Sequence, residues 1–122
     1  MSELTLLVVE DDDGMRQAIE RLLGAAGFRV ASFSCAEELL RGDTASSAAC
    51  LIFDIHLPGI SGFELRRVLA RTGATPPVIF ITADDTPAAR EEAGRLRAAA
   101  YLPKPFQGRE LVAAVSRAVA PP

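Results

Sequence analysis

Five short apolar runs punctuate the chain, at residues 4–9, 28–33, 50–53, 78–81 and 99–102. Three of them contain the unbroken stretches LLVV, LIF and VIFI, with no polar residue on alternate positions. A strand that is apolar at every position is buried on both faces, as in a parallel sheet covered by helices on either side. The stretches between the runs carry helical spacing instead. Met15, Ala18, Ile19, Leu22, Leu23 and Ala26 recur at intervals of three and four, and Gly27 follows as a C-terminal stop. Ser34 with Glu37, and Ser61 with Glu64, fit capping boxes. Thr86 before Pro87 reads as an N-cap with proline in the first helical position. Leu111, Val112, Val115 and Val119 form the stripe of a last helix, which Pro121 and Pro122 cannot extend.

Five strands alternating with five helices in 122 residues predict an α/β fold, a doubly wound sandwich around a five-stranded parallel sheet. That length suits one domain, assigned to residues 1–122. Residues 42–49 (GDTASSAA) read as a surface loop, and there is no internal repeat.

Composition removes several classes. Leu, Ile, Val and Phe account for 34 of 122 residues at a net charge of −3, which suits a folded domain and not a disordered chain. A pI near 5.1 argues against nucleic-acid binding through overall charge. No apolar run is long enough for a membrane span, and the N-terminal MSELTLLVVEDDD lacks the basic region of a signal peptide. Cys35 and Cys50 read as two reduced, buried thiols of a cytoplasmic protein.

The acids are unevenly placed. Of seven Asp, six fall at Asp11–Asp13, at Asp54 and at Asp84–Asp85, each spot at or just beyond the C-terminal end of an apolar run, and Glu10 joins the first. Open α/β sheets bind ligands outside the carboxyl ends of their strands, where the strand order reverses. With the flavodoxin-like order 2-1-3-4-5, that point lies between the strands ending in Glu10-Asp11 and in Asp54. Three carboxylates so close repel unless a cation joins them. An oxygen-only donor set suits Mg²⁺ or a similar hard cation. Asp12 and Asp13 are read differently, as the acidic first turn of a helix. Against twelve Arg there is one Lys, Lys104, set between two prolines after the fifth run. With the Thr82 hydroxyl at the end of the fourth strand, these groups describe a pocket for a phosphoryl group and its metal.

VVEDD at 8–12, LIFDIHLPGISGFEL at 51–65, VIFITA at 78–83 and YLPKPF at 101–106 together resemble the receiver domain of two-component response regulators, in the FixJ-like or NtrC-like style. The resemblance covers nearly the whole chain. It implies a signalling domain, not an enzyme proper, that catalyses its own phosphorylation and dephosphorylation. Asp54 would accept a phosphoryl group from a phosphohistidine on a sensor histidine kinase or phosphotransfer protein. Glu10, Asp11 and Asp54 would hold Mg²⁺ with the backbone carbonyl of His56, Asp11 directly and Glu10 through water. Thr82 and Lys104 would bind the phosphoryl oxygens. Tyr101 would be the aromatic switch that follows Thr82, changing the face made by the fourth helix, fifth strand and fifth helix for a downstream output domain or protein. The Lys104–Pro105 bond would be cis. No output domain lies in these residues, and homodimerisation on phosphorylation stays open.

The chain departs from the family where Gly usually ends the fourth helix, four residues before the aromatic. Arg97 stands there, which predicts a strained or shifted helix end, or weaker order. His56 and Asp84 occupy positions that tune phosphoryl lifetime in this family, with the His56 ring expected at the pocket rim and not on the metal. Three rivals remain. A haloacid-dehalogenase-type phosphatase needs a second Asp where His56 stands. A flavodoxin-like FMN protein needs a Ser/Thr/Gly-rich phosphate loop where EDDD stands. A phosphorylation-independent adaptor would be suggested by loss of the acceptor Asp or of the Lys, and both are present.

Overall fold

A computed structural model describes residues 4–42 and 44–120. The reading of Pro121-Pro122 as a helix stop, the first three residues of the leader argument and residue 43 of the expected loop lie outside the described residues. Five strands, β1 (Thr5–Val9), β2 (Arg29–Phe33), β3 (Cys50–Asp54), β4 (Val78–Thr82) and β5 (Ala100–Pro103), alternate with α1 (Asp13–Ala25), α2 (Ala36–Leu40), α3 (Gly62–Arg71), α4 (Pro87–Arg95) and α5 (Gly108–Val119). The strands are all parallel, in the expected order β2-β1-β3-β4-β5.

The unbroken apolar runs occupy the middle of the sheet. β3 and β4 are buried at every position, and β1 at all but Thr5. Side-chain alternation then sorts them between two cores. Leu7, Val9, Leu51, Phe53, Val78 and Phe80 face α2, α3 and α4 through Leu39, Leu65, Leu69 and Ala93. Leu6, Val8, Ile52, Ile79 and Ile81 face α1 and α5 through Ile19, Leu23, Leu111 and Val115. Each Val, Leu, Ile or Phe side chain fully buried among these contributes about 1.5–3 kcal/mol of apolar transfer. Phe63 of α3 meets Phe80 edge-on, with ring centroids 4.8 Å apart. Strands β2 and β5, at the sheet's edges, are only half-buried.

Helix ends follow local chemistry. Asp12, Ser61 and Thr86 accept the N–H of Met15, Glu64 and Ala89, capping α1, α3 and α4. α1 closes with Gly27 at φ +100°, its N–H on the Gly24 carbonyl and the Phe28 N–H on that of Leu23. α4 closes with the same pair of bonds, but the left-handed residue is Arg97 at φ +58°. The departure at Arg97 therefore produces strain at a regular cap and not a shifted helix end.

Several expectations need correction. Cys35, not Ser34, is the N-cap of α2. Ser34 donates both its N–H and its hydroxyl to Glu38, at 2.9 Å each, so no capping box with Glu37 forms there. The loop at 42–49 contains a 3₁₀ turn, Thr44–Ser47, whose Ala45 is buried. Ala18 and Ala26 of the expected α1 stripe are exposed, and Cys35 is only half-buried. Cys50 is buried as expected, and burial pushes its thiol up to about 12. No helix among the described residues is long and apolar enough to cross a membrane.

Candidate functional site

The parallel sheet delivers four strand ends to one rim. Glu10 follows the last residue of β1, Asp54 ends β3, Thr82 ends β4 and Lys104 follows the last residue of β5. Register sets their level: Val9 pairs with Phe53, Asp54 with Ile81 and Thr82 with Pro103. Each polar group thus stands one step beyond an apolar run, where the core ends and solvent begins.

Glu10 and Thr82 are fully buried and Asp54 nearly so, at 5% exposure. The Lys104 ammonium donates to Glu10 Oε1 at 2.8 Å and to Asp54 Oδ2 at 3.2 Å. Asp54 Oδ1 accepts the His56 N–H at 3.0 Å, and Glu10 Oε2 the Asp12 N–H at 3.1 Å. Burial raises the Glu10 carboxyl above its ordinary range, opposed by its hydrogen bond to Lys104. Burial alone would lower Lys104, but its two carboxylate partners outweigh that and hold the ammonium above its usual value.

Asp11 is exposed at the mouth, yet Glu10, Asp11 and Asp54 each offer a carboxylate oxygen within 4.8 Å of the others. Three carboxylates against one ammonium leave two negative charges uncompensated, which a divalent cation would neutralise. The donors are hard oxygens only, so the group could hold a metal ion of that preference. The His56 ring is outside the group, exposed at the rim with Nε2 3.9 Å from Asp84 Oδ2.

The other expected residues flank this cluster. Thr82 Oγ1 accepts the Asp84 N–H at 3.0 Å. The Lys104 N–H donates to the Thr82 carbonyl at 2.7 Å, ahead of a cis Lys104–Pro105 bond. Tyr101 bonds none of Glu10, Asp11 and Asp54; its hydroxyl donates to Asp85 Oδ1 at 3.0 Å.

The sequence reading gave no role at the site to three supporting residues. Arg16, one turn into α1, donates to the Glu10 carbonyl at 2.9 Å and pairs with Asp13 at 2.6 Å, fixing the acidic turn. Glu37 of α2 accepts the Ile60 N–H at 3.3 Å, fastening the loop after Asp54. Gly62 opens α3 so close to β3 that a Cβ would stand 2.3 Å from the Asp54 carbonyl oxygen. Only the last has a sequence signal, a glycine directly after the Ser61 cap.

A family model for the response regulator receiver domain matches residues 6–116. Nodulation protein W of Bradyrhizobium diazoefficiens is 36% identical over 110 residues, covering 90% of this chain and 48% of that protein. The transcriptional regulatory protein FixJ of Azorhizobium caulinodans is 35% identical over 112 residues, covering 92% of this chain and 53% of that protein. The crystal structure of FixJ-N is similar with a TM-score of 0.84 at 31% identity, over 98% of this chain and 95% of that one. The chain spans about half the length of the curated relatives it matches.

Proposed function

The chain belongs to the response regulator receiver domains of two-component signalling, and from that premise we propose that Asp54 is its phosphoacceptor, charged by a phosphohistidine on a histidine kinase or phosphotransfer protein. The observation that carries this reading is the seating of Asp54. Its two oxygens are held by different donors, Lys104 and the His56 N–H, at the end of a strand that opens onto the acidic rim.

In the transfer, an Asp54 carboxylate oxygen forms a bond to phosphorus as the phosphorus–nitrogen bond of the donor breaks. The electron pair of that bond returns to the imidazole, and the product on this chain is an acyl phosphate. Mg²⁺, for which Glu10, Asp11, Asp54 and the His56 backbone carbonyl are the proposed ligands, supplies neutralisation of the phosphoryl oxygens. Lys104 is already within 3.2 Å of the attacking group, so its ammonium needs only a small swing to pair with the incoming charge. Thr82, whose hydroxyl proton is not committed to the Asp84 N–H it accepts from, donates to a phosphoryl oxygen. The same pocket serves hydrolysis of the acyl phosphate by water, so the domain turns itself on and off.

The new charge draws Thr82 inward, Tyr101 follows, and the surface of α4, β5 and α5 changes for an output domain or downstream protein. This reading puts the chain in the cytoplasm. It assigns no direct nucleic-acid contact to this domain and leaves room for homodimerisation on phosphorylation.

The test is acetyl phosphate or phosphoramidate with Mg²⁺, followed by intact mass. The expected result is one added phosphoryl group, absent without Mg²⁺ and absent in Asp54→Asn. No adduct with either donor, or an adduct that persists in Asp54→Asn, overturns the assignment.

A further inference from the structure

We propose that Asp85 is a latch that holds Tyr101 outward, and that its release is how movement of Thr82 reaches β5. The inference rests on the receiver reading above and adds a regulatory residue to it.

Asp85 uses both carboxylate oxygens. Oδ1 accepts the Tyr101 hydroxyl at 3.0 Å and Arg90 Nε at 2.8 Å, while Oδ2 accepts Arg90 Nη2 at 2.8 Å. The Arg90 guanidinium also lies over the Tyr101 ring, 4.9 Å from its centroid. Three residues from three places, the β4–α4 loop, α4 and β5, thus close into one ring of contacts. The pairing is bidentate, the strongest geometry open to an Arg and a carboxylate. Arg90 holds the Asp85 carboxyl below its usual range, and burial with the bond to Asp85 pushes the Tyr101 phenol up.

The latch is rooted at the site. Asp84, its immediate neighbour, gives its N–H to the Thr82 hydroxyl. A Thr82 side chain that turns to a phosphoryl oxygen gives up that N–H, so the loop carrying Asp85 loses its attachment to β4 at that point. Asp85 and Arg90 are partly exposed, at 37% and 56% of the side chain. Such a pair is weak, and weakness suits a threshold: a latch worth a few-fold in population can be opened by one phosphoryl group, whereas a deeply buried pair would hold the domain in one state.

Tyr101 is the single tyrosine of a chain with no tryptophan, so intrinsic emission reports on this residue alone. A phenol donating to a carboxylate is quenched by proton transfer in the excited state. The experiment follows tyrosine emission and Asp54 adduct mass together, with Mg²⁺ and phosphoramidate, in the wild type, Asp85→Asn, Arg90→Gln and Thr82→Ala. Wild-type emission is expected to be low and to rise as the adduct forms. Asp85→Asn should emit strongly before any donor is added, show no further rise, and phosphorylate about two- to fivefold faster. Arg90→Gln should lie between the two. Thr82→Ala has no hydroxyl to hold the Asp84 N–H, so it should emit above the wild type before any donor is added.

Wild-type emission and wild-type response in Asp85→Asn, with adduct forming, overturn the latch and leave the receiver reading intact. Donor-free emission of Thr82→Ala equal to that of the wild type overturns the route through Thr82. Failure of the wild type to form any adduct counts against the receiver reading instead, and donor-free emission of Asp85→Asn still decides whether the latch exists.

Discussion

The Lys104 ammonium lies 2.8 Å from Glu10 Oε1, although the two residues are 94 positions apart in the chain. Its other contact, Asp54, is nearly buried as well, so one cation compensates two acids that water barely reaches. Lys104→Met would leave both without it. Removing one partner of a buried pair costs about 3 kcal/mol or more. Urea denaturation at neutral pH should show a loss of that order, and a variant within 0.5 kcal/mol of wild type would refute the compensation.

Acid–base linkage gives a second test. Glu10 titrates above its ordinary range in the folded chain, so the folded state holds that proton more tightly than the unfolded one. Its contribution to stability is present below its unfolded value near 4.5 and is lost as pH rises through the raised folded value. Lys104 is raised too, so the stability it contributes persists up to about its unfolded 10.5 and disappears at higher pH. Glu10→Gln should remove the lower transition. Urea midpoints of the two proteins should therefore converge on acidification and separate, with the variant higher, as pH climbs past that window.

Divalent metal should bind the folded chain in preference to the unfolded one. At ten times its dissociation constant, Mg²⁺ would stabilise by about 1.4 kcal/mol, a rise of a few degrees in melting temperature relative to chelator. Asp11 is exposed and its side chain has no hydrogen bond or ion pair among the described residues, so Asp11→Asn should melt like wild type in chelator and respond less to Mg²⁺. Equal melting of wild type in both buffers would exclude the metal site.

Gly62→Ala should be costly for its size. The added methyl would stand 2.3 Å from the Asp54 carbonyl oxygen and 3.1 Å from the Ile55 Cα, both backbone atoms. Overpacking of this kind costs about 1–3 kcal/mol, and the shift falls on the strand end that presents Asp54. Guanidinium denaturation should show the loss, and phosphoramidate labelling should slow with it.

Arg97→Gly should do the opposite. Arg97 is exposed, and its φ of +58° carries the penalty of a left-handed conformation with a Cβ. Glycine removes that penalty and gives back part of the gain through its freer unfolded chain, for a net stabilisation of about 0.5–1 kcal/mol. A differential scan showing a lower melting temperature would contradict this.

Much of the architecture was readable because both faces of the central strands are covered. LIF and VIFI lack alternation for a physical reason, and that reason also fixes the layers. The carboxylates were readable because they cluster just past those runs, Lys104 as a lone lysine between two prolines and Thr82 as a hydroxyl at a strand end, whereas the switch role of Tyr101 came from the resemblance to receivers. What escaped lay in contacts without a period. Ser34 commits its groups to Glu38, so the cap falls to Cys35, a choice that no spacing rule encodes. The Glu37–Ile60 bond and the Asp85–Arg90–Tyr101 ring join segments through tertiary geometry alone. The exposed Ala18 and Ala26 show an expected α1 stripe drawn wider than the face the sheet covers.

The pairing of Val9 with Phe53, and of Asp54 with Ile81, has a consequence for how this domain can vary. Successive residues of a strand point to opposite sides. A one-residue insertion or deletion inside β3 would therefore exchange the sides of the residues beyond it, turning Asp54 away from its partners and sending an apolar neighbour into the polar crevice. Length inside the central strands is thus far less negotiable than the identity of any single apolar residue in them, and tolerated insertions should be confined to the loops that enter the N-terminal ends of the strands.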